Sequence, residues 1–592
     1  TVSTVKRQRS RRVGFGVATH KLSGEIEARF AAHGVTAATY RGRAAIDPEG
    51  DGDDHKMCLA PGKVKIAVAA RQDVEKTCCR NGDNVCTSFD RCGFQRQKEK
   101  LKTANVVIFA SDMIFHDQPI IGNLDVLFLD EEFSSKQIAN VIDIPLKDLK
   151  RDGDRELADL AEMLTLQEDG PLLLKSAELL ADNHALRVRL LNEKPKLEFN
   201  PGMSATRMHA YAQSNQALIK RAVLYRNRGD VLPDIDSMAQ RDIAVSGRLF
   251  LGTGTDTDHK ARVLRWLGVR KVTAKFDVPT FMMDATLPSL DILRLTHPEV
   301  RQVADIRVAM PPSVRVVQVI GAPTSKSKLI SGKHKEKHQR EIVRYVNKRW
   351  LECERGKALV ICQQEYEQKV LKHELPEEIA ILHFNALAGV DAFRDVRLVI
   401  VIGRTLPPSG SIEAMAGTLS GAMPECCVED DDGDDDEDDG EEFKALRYKR
   451  VRRGIRLRDG TGRAVRVNEH PDALCEALRW QACEGQLVQA IGRARGINRT
   501  DATRLDIDLL FDEVLPIEVD DTPNWERPSL FYETARDGVV LTSPTDMHKV
   551  WPEVWENLRA AERTTKDGPP ALPRFDLAHS QLPGPRQNSP HA

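Results

Sequence analysis

The sequence predicts an α/β protein of two parallel-sheet domains, and three observations carry that prediction. Regions 13–133 and 280–515 alternate short β-branched runs with helical patterns, as parallel sheets with crossover helices do. The helical pattern EIVRYVNKRWLECE (341–354) lies between two such runs, as a crossover should. The apolar run LDVLFLD (124–130) leads directly into Asp130-Glu131-Glu132, so carboxylates arrive at the C-terminal edge of a sheet, where α/β folds bind ligands.

In the first region VGFGVA (13–18) reads as a strand and LSGEIEARFAAHG (22–34) as a helix closed by Gly34, followed by strands at 105–110 (NVVIFA) and 124–130. In the second, strands are expected at 280–286 (TFMMDAT), 314–321 (VRVVQVIG), 358–364 (ALVICQQ) and 396–403 (VRLVIVIG). The first domain is expected over 1–290, with a cysteine-containing insertion at 55–95 and a mainly helical, Leu/Ala/Arg-rich insertion at 146–250. The second is expected over 291–540, with a charged loop insertion within 405–480, and a C-terminal extension over 541–592 ends in a disordered Pro-rich tail. No repeat of 20–50 residues is visible, which argues against a solenoid.

The 592 residues carry 86 Lys+Arg against 89 Asp+Glu, with 41% hydrophobic and 30% charged residues, the composition of a globular protein. No apolar run approaches the roughly 18 residues of a membrane span, and no secretory leader is visible, so a cytoplasmic protein without membrane contact is expected. Eleven cysteines are too sparse for a disulfide scaffold and are expected to be reduced. The net charge of −3 hides an asymmetry: residues 429–442 hold 12 acidic groups, without which the remainder stands at +9. Ten Lys/Arg follow at 444–466, suited to binding phosphate or to neutralising the adjacent acids; a self-screening surface loop is the preferred expectation.

Asp130 can hold Mg²⁺ while Glu131 polarises a water, although acidic residues also end many solvent-facing strands. Further along come DATL (284–287), HFNALAGVD (383–391), LVIVIGRTLPP (398–408) and QLVQAIGRARG (486–496). The last sets Gln489, Gly492, Arg493 and Arg495 at a helix–loop junction, where permanently charged guanidiniums suit a developing phosphate charge or simply form a solvated basic face.

In this order the segments resemble those of the superfamily 2 helicases, most closely the DinG/XPD type, over roughly residues 13–515. VATHKL (17–22) is similar to motif Ia, DEEF (130–133) to motif II, DATL to motif III, AGVD (388–391) to motif V and QAIGRARG (489–496) to motif VI. The resemblance implies two RecA-like domains with ATP and Mg²⁺ in the cleft between them and single-stranded or forked DNA across both. It implies that Asp130 binds Mg²⁺, Glu131 orients the attacking water, and Gln489, Gly492 and Arg493 or Arg495 meet the phosphates. Asp391 and Thr286 would couple nucleotide to nucleic acid, and Thr19, His20 and Lys21 would touch the strand backbone. The chain departs from the pattern in three places. No G-x-x-x-x-G-K-[ST] phosphate loop precedes the first strand; GTGTDTDHK (252–260) and GAPTSKSK (321–328) lack its order. Motif II reads DEEF rather than DEAH, and Arg495 stands one position early in motif VI.

Cys58, Cys78, Cys79, Cys86 and Cys92 fall within 35 residues, in the interval where the DinG/XPD type carries a four-cysteine iron–sulfur cluster. Thiolates hold either a [4Fe–4S] cluster or Zn²⁺, and this spacing marks neither; buried unliganded thiols are the alternative. His20, His116 and His383, and Cys353, Cys362, Cys475 and Cys483, are expected to be structural. The expected function is that of an ATP-dependent DNA helicase or translocase, here a fragment or degenerate form without its phosphate loop, working with replication or repair proteins. The alternatives are a non-catalytic nucleic-acid- or partner-binding module of a larger replication protein, and a scaffold organised around the acidic run.

Overall fold

The computed structural model describes residues 12–17, 20–50, 52, 55–116, 121–130, 134–149, 155–173, 183–256, 259–384, 386, 392–427, 448–536 and 538–566. The acidic run 429–442 and the tail from 567 lie outside the described residues.

The chain opens with β1 (Val13–Val17), α1 (His20–Ala31) and β2 (Ala37–Thr39). The cysteine-containing insertion follows, with α2 (Pro61–Ala69), the short hairpin β3 (Arg80–Asn81) and β4 (Asn84–Val85), and α3 (Gly93–Thr103), which returns the chain to β5 (Val106–Ala110) and β6 (Val126–Asp130). The second insertion contains β7 (Ile138–Pro145), α4 (Arg155–Leu166), β8 (Gly170–Leu173), α5 (Asn183–Glu193), α6 (Gln216–Gln240), β9 (Val245–Asp256) and β10 (His259–Val269). The chain then re-enters the first sheet as β11 (Thr280–Met283). That sheet is parallel throughout, in the order β11-β6-β1-β5-β2. Its strands are apolar on both faces because helices or loops cover both: Val107, Phe109, Leu127 and Leu129 pack on one side, Val13, Phe15, Val17, Val106 and Ile108 on the other.

Helices fill much of the second insertion as expected, but they pack on an antiparallel sheet of order β7-β10-β9-β8. Leu157, Leu160, Leu164, Leu190 and Ile235 from the helices meet Leu249, Leu251 and Leu264 of the sheet. Of GTGTDTDHK, which carries Gly and Thr but no phosphate-loop order, residues 252–256 belong to β9 and residues 259–260 to β10.

The second domain comprises β12 (Val314–Val319), α7 (Lys335–Glu352), β13 (Ala358–Cys362), β14 (Ile379–His383), β15 (Leu398–Ile402), α8 (Ser409–Ser420), β16 (Lys449–Leu457), β17 (Gly462–Glu469), α9 (Ala473–Trp480), α10 (Gln486–Gly492), β18 (Leu505–Leu510) and β19 (Glu518–Val519). Its parallel sheet runs β12-β18-β15-β13-β14. The run LVIVI at 398–402 is wholly buried, as a central parallel strand must be. Helix α7 buries Ile342, Val343, Val346, Trp350 and Leu351 at helical spacing. Its Arg349 donates to Asp508 Oδ2 at 2.6 Å and Asp506 Oδ2 at 3.0 Å, and the Tyr345 hydroxyl donates to the same Asp508 oxygen at 2.8 Å, so the buried Asp508 is fully compensated. Both parallel α/β domains are thus of the RecA-like kind the pattern implied.

The second insertion also grips the second domain. Arg248 donates to the carbonyls of Thr418 at 2.6 Å and Leu419 at 2.9 Å, and Arg241 to Ser420 at 3.0 Å, capping the C-terminal carbonyls of α8 with positive charge. Asp234 holds Arg248 from behind at 2.6 Å. Gly247 lies against Gly417: a Cβ at Gly247 would stand 2.2 Å from the Gly417 carbonyl oxygen. Gly247→Ala is therefore expected to force the two backbones apart and cost about 1–3 kcal/mol in denaturant unfolding, as overpacking does; an unchanged midpoint would refute the close approach.

Candidate functional site

Parallel pairing sets Met283 opposite Asp130, so Asp130 at the tip of β6 and Asp284 just beyond β11 share one edge of the first sheet. Asp130 is half-buried; burial first, and the negative charge of Asp284 second, push its carboxyl above the usual range. Two carboxylates at a sheet's C-terminal edge are hard-oxygen donors suited to a divalent cation. Asp284 also organises the turn that follows. Its Oδ1 accepts from the Thr286 amide at 2.8 Å and the Thr286 hydroxyl at 3.2 Å.

Thr286 is 3% exposed, and the second domain closes over it. Gln489 in α10 donates from Nε2 to the Thr286 hydroxyl at 2.9 Å, and Gln481 donates to the Thr286 carbonyl at 2.8 Å. A continuous polar path therefore runs from the acidic tip through Asp284 and Thr286 to Gln489. It joins three of the residues singled out in the sequence, Asp130, Thr286 and Gln489. The sequence reading missed Asp284 and Gln481: the first sat unremarked inside DATL, and nothing in the pattern around Gln481 marks it.

Glu131, Asp391 and Thr19 lie outside the described residues, as do the side chains of His20 and Lys21, whose backbone begins α1. Past Gly492, Arg495 adopts the left-handed region at φ 51°. It lines a cavity of about 520 Å³ with Arg394, Arg397, Arg499 and Arg504. The one carboxylate there, Asp395, is held by Lys357 at 2.6 Å. These side chains gather beside the starts of β15 and β18 and make a strongly cationic recess. His383 is paired with Glu367 at 2.5 Å, the structural role expected of it.

From Lys449 onward the basic run after the acidic segment folds as hairpin β16–β17. Strand alternation puts Ile455, Val465 and Val467 under the hairpin, in the second-domain core. Arg450, Arg452, Arg456 and Arg466 point outward around small Gly454 and Ala464, and all six are exposed. On the same hairpin Arg453 is paired with Glu469. Alternate arginines stand about 6.6 Å apart along a strand, forming a flat row of cations that can follow a phosphate backbone.

The five clustered cysteines meet in space. All line one small cavity together with Phe89 and Gln95. Cys58 precedes α2, Cys78 and Cys79 end a wide helical turn, Cys86 follows β4, and Cys92 caps α3. Cys58 and Cys92 form a hydrogen-bonded thiol pair, which raises Cys58 and lowers Cys92. Burial pushes Cys78 and Cys79 up to about 11. Arg43 reaches Cys79 Sγ at 3.7 Å, and the buried Lys63 reaches Cys86 Sγ at 3.8 Å. No three of these sulfurs lie within 4.8 Å of one another.

No protein-family model matches the chain, and no curated protein matches it. Among solved structures, the crystal structure of the Pyrococcus furiosus Hef helicase domain aligns over 71% of this chain and 92% of that chain, at 11% identity. The TM-score is 0.15, a level that carries no argument.

The raised Asp130 carboxyl has a consequence for stability. The native state holds this proton more tightly than the unfolded chain, so the ionised group opposes folding above its raised pKa, and the penalty fades as pH falls through it. Asp130→Asn should raise the unfolding temperature near neutral pH, with a gain that shrinks toward acidic pH. A gain independent of pH would refute the carboxylate pairing.

Proposed function

We propose that the chain is a superfamily 2 helicase-like protein that binds single-stranded or forked DNA, with DinG/XPD-type organisation. One observation carries the reading: the polar path from Asp130 through Asp284 and Thr286 to Gln489 joins motifs II, III and VI across two RecA-like sheets. In that role Asp130 holds Mg²⁺, Glu131 orients water, and Gln489 with Arg493 or Arg495 answers charge on a nucleotide's phosphates. Thr286 and Asp391 report nucleotide state to the nucleic-acid grip, Gly492 lies with the phosphate-binding residues, and Thr19, His20 and Lys21 touch the strand. Neither Gly-rich segment supplies a phosphate cradle, since residues 252–256 and 259–260 of one belong to β9 and β10 and the other follows β12 in the second domain. ATP hydrolysis by this chain is expected at background, and that same observation favours the second reading, a nucleic-acid-binding module without turnover.

The arginine row on β16–β17 supports phosphate binding. Fluorescence anisotropy against single-stranded DNA at several salt concentrations tests it. Replacing Arg450, Arg452 and Arg456 together by Ala should flatten the slope of log affinity against log salt by about 2, since each contact to a single strand contributes about 0.7. No DNA binding by the intact chain would sink the proposal, and an unchanged slope would remove this face from it.

The five thiols around one small cavity are the donor set of a [4Fe–4S] cluster or, alternatively, of Zn²⁺. Arg43 and Lys63 would offset the charge of the thiolates. Cys58, Cys86, Cys92 and one of Cys78 or Cys79 would be the ligands; the cluster, when bound, would tie together the loops that carry them. Anaerobic purification followed by elemental analysis should give about four irons per chain. An iron-free protein with its DNA binding intact would separate the cluster from the rest of the reading.

A further inference from the structure

We propose that Glu413, Cys427 and His470 form a second metal site, for Zn²⁺, at the base of the charged insertion. The three come from separate elements: Glu413 from α8, Cys427 from the segment after it, and His470 from the end of β17. They are 4%, 3% and 3% exposed. One ligand atom of each lies within 4.8 Å of the other two. Zinc bonds of about 2.0–2.3 Å to nitrogen, oxygen and sulfur require donor separations of roughly 3.3–3.7 Å. His470 Nε2 and Glu413 Oε1 already stand 3.2 Å apart, so a small contraction by the thiol completes a trigonal face.

The donor chemistry is that of a zinc site rather than a calcium or magnesium site, since imidazole and thiolate join a single carboxylate. The surroundings supply what such a face lacks. Cys426 is adjacent in sequence and interacts with Glu413, which offers a sulfur for the fourth position. The Cys427 amide donates to Glu413 Oε1 at 2.8 Å and fixes the carboxylate from outside. Tyr448 packs edge-on against the imidazole at 5.9 Å between ring centres.

Without metal, burial and the nearby carboxylate push the Cys427 thiol up to about 11. Zinc would displace that proton, releasing it to solvent and neutralising the carboxylate in place. The Asp472 amide donates to His470 Nδ1 at 3.1 Å, so the metal-free imidazole carries its proton on Nε2. Ligation through Nε2 moves that proton to Nδ1, with no net change in protons on the ring, and requires the Asp472 amide to give up its bond to Nδ1. Cys427 and Tyr448 bracket residues 428–447 in the sequence, so the ion would pin both ends of the acidic insertion to α8.

The test is zinc analysis and zinc-edge X-ray absorption on the full chain, with Cys427→Ser and Glu413→Gln alongside. We expect about one zinc per chain in a mixed sulfur and nitrogen/oxygen shell, lost in both variants while iron content stays constant. Zinc in an all-sulfur shell would place it in the five-cysteine cavity and overturn the proposal. So would a chain that takes up no zinc from micromolar ZnCl₂. Because the shell is read on the wild-type chain, the test stands even where a variant fails to fold.

Discussion

Parallel pairing makes every strand of a sheet end at the same edge, and the arrangement of this molecule follows from that constraint. Once β6 and β11 are neighbours, Asp130 and Asp284 must arrive together, because register leaves them nowhere else to go. Burial first, and the neighbouring charge of Asp284 second, raise the proton affinity of Asp130 there. The turn after β11 then spends Asp284 on Thr286, and Thr286 in turn faces Gln481 and Gln489 of the other domain. A buried hydroxyl that both donates and accepts is an economical joint, because neither partner is left unsatisfied.

The two sheets were legible because their strands are buried on both faces and so read as continuous β-branched runs, LVIVI above all. The antiparallel sheet of the second insertion was not. Its strands mix Gly, Thr and Arg with apolar residues, as in VSGRLFLGTGTD, and the neighbouring helices dominated the composition. The cysteine cavity was legible from density alone, five thiols in 35 residues, whereas Glu413 and His470 are 57 residues apart and no spacing rule joins them. The arginine row could have been found. Arg450, Arg452 and Arg456 alternate with Val451, Ile455 and Leu457 at period two, but the adjacent acidic run drew the reading toward a self-screening loop.

Charge is handled differently in each part of the fold. Under the second sheet Asp508 is buried with Arg349 and Tyr345 both committed to it, which fixes α7 in register. Around the five sulfurs Arg43 and Lys63 sit at the edge of a cavity in which burial pushes Cys78 and Cys79 up. On the outer hairpin the cations face solvent.

The grip of Arg241 and Arg248 on the end of α8 places a second attachment between parts of the chain that the sequence assigns to different domains. The first attachment is the turn at Thr286. Around these bonds Ile138 of the insertion packs against the cluster of Ile412, Ala416 and Leu419 on α8. The insertion is therefore an outrigger: any change of angle at the Thr286 turn must either break this contact or carry the insertion along with the second domain.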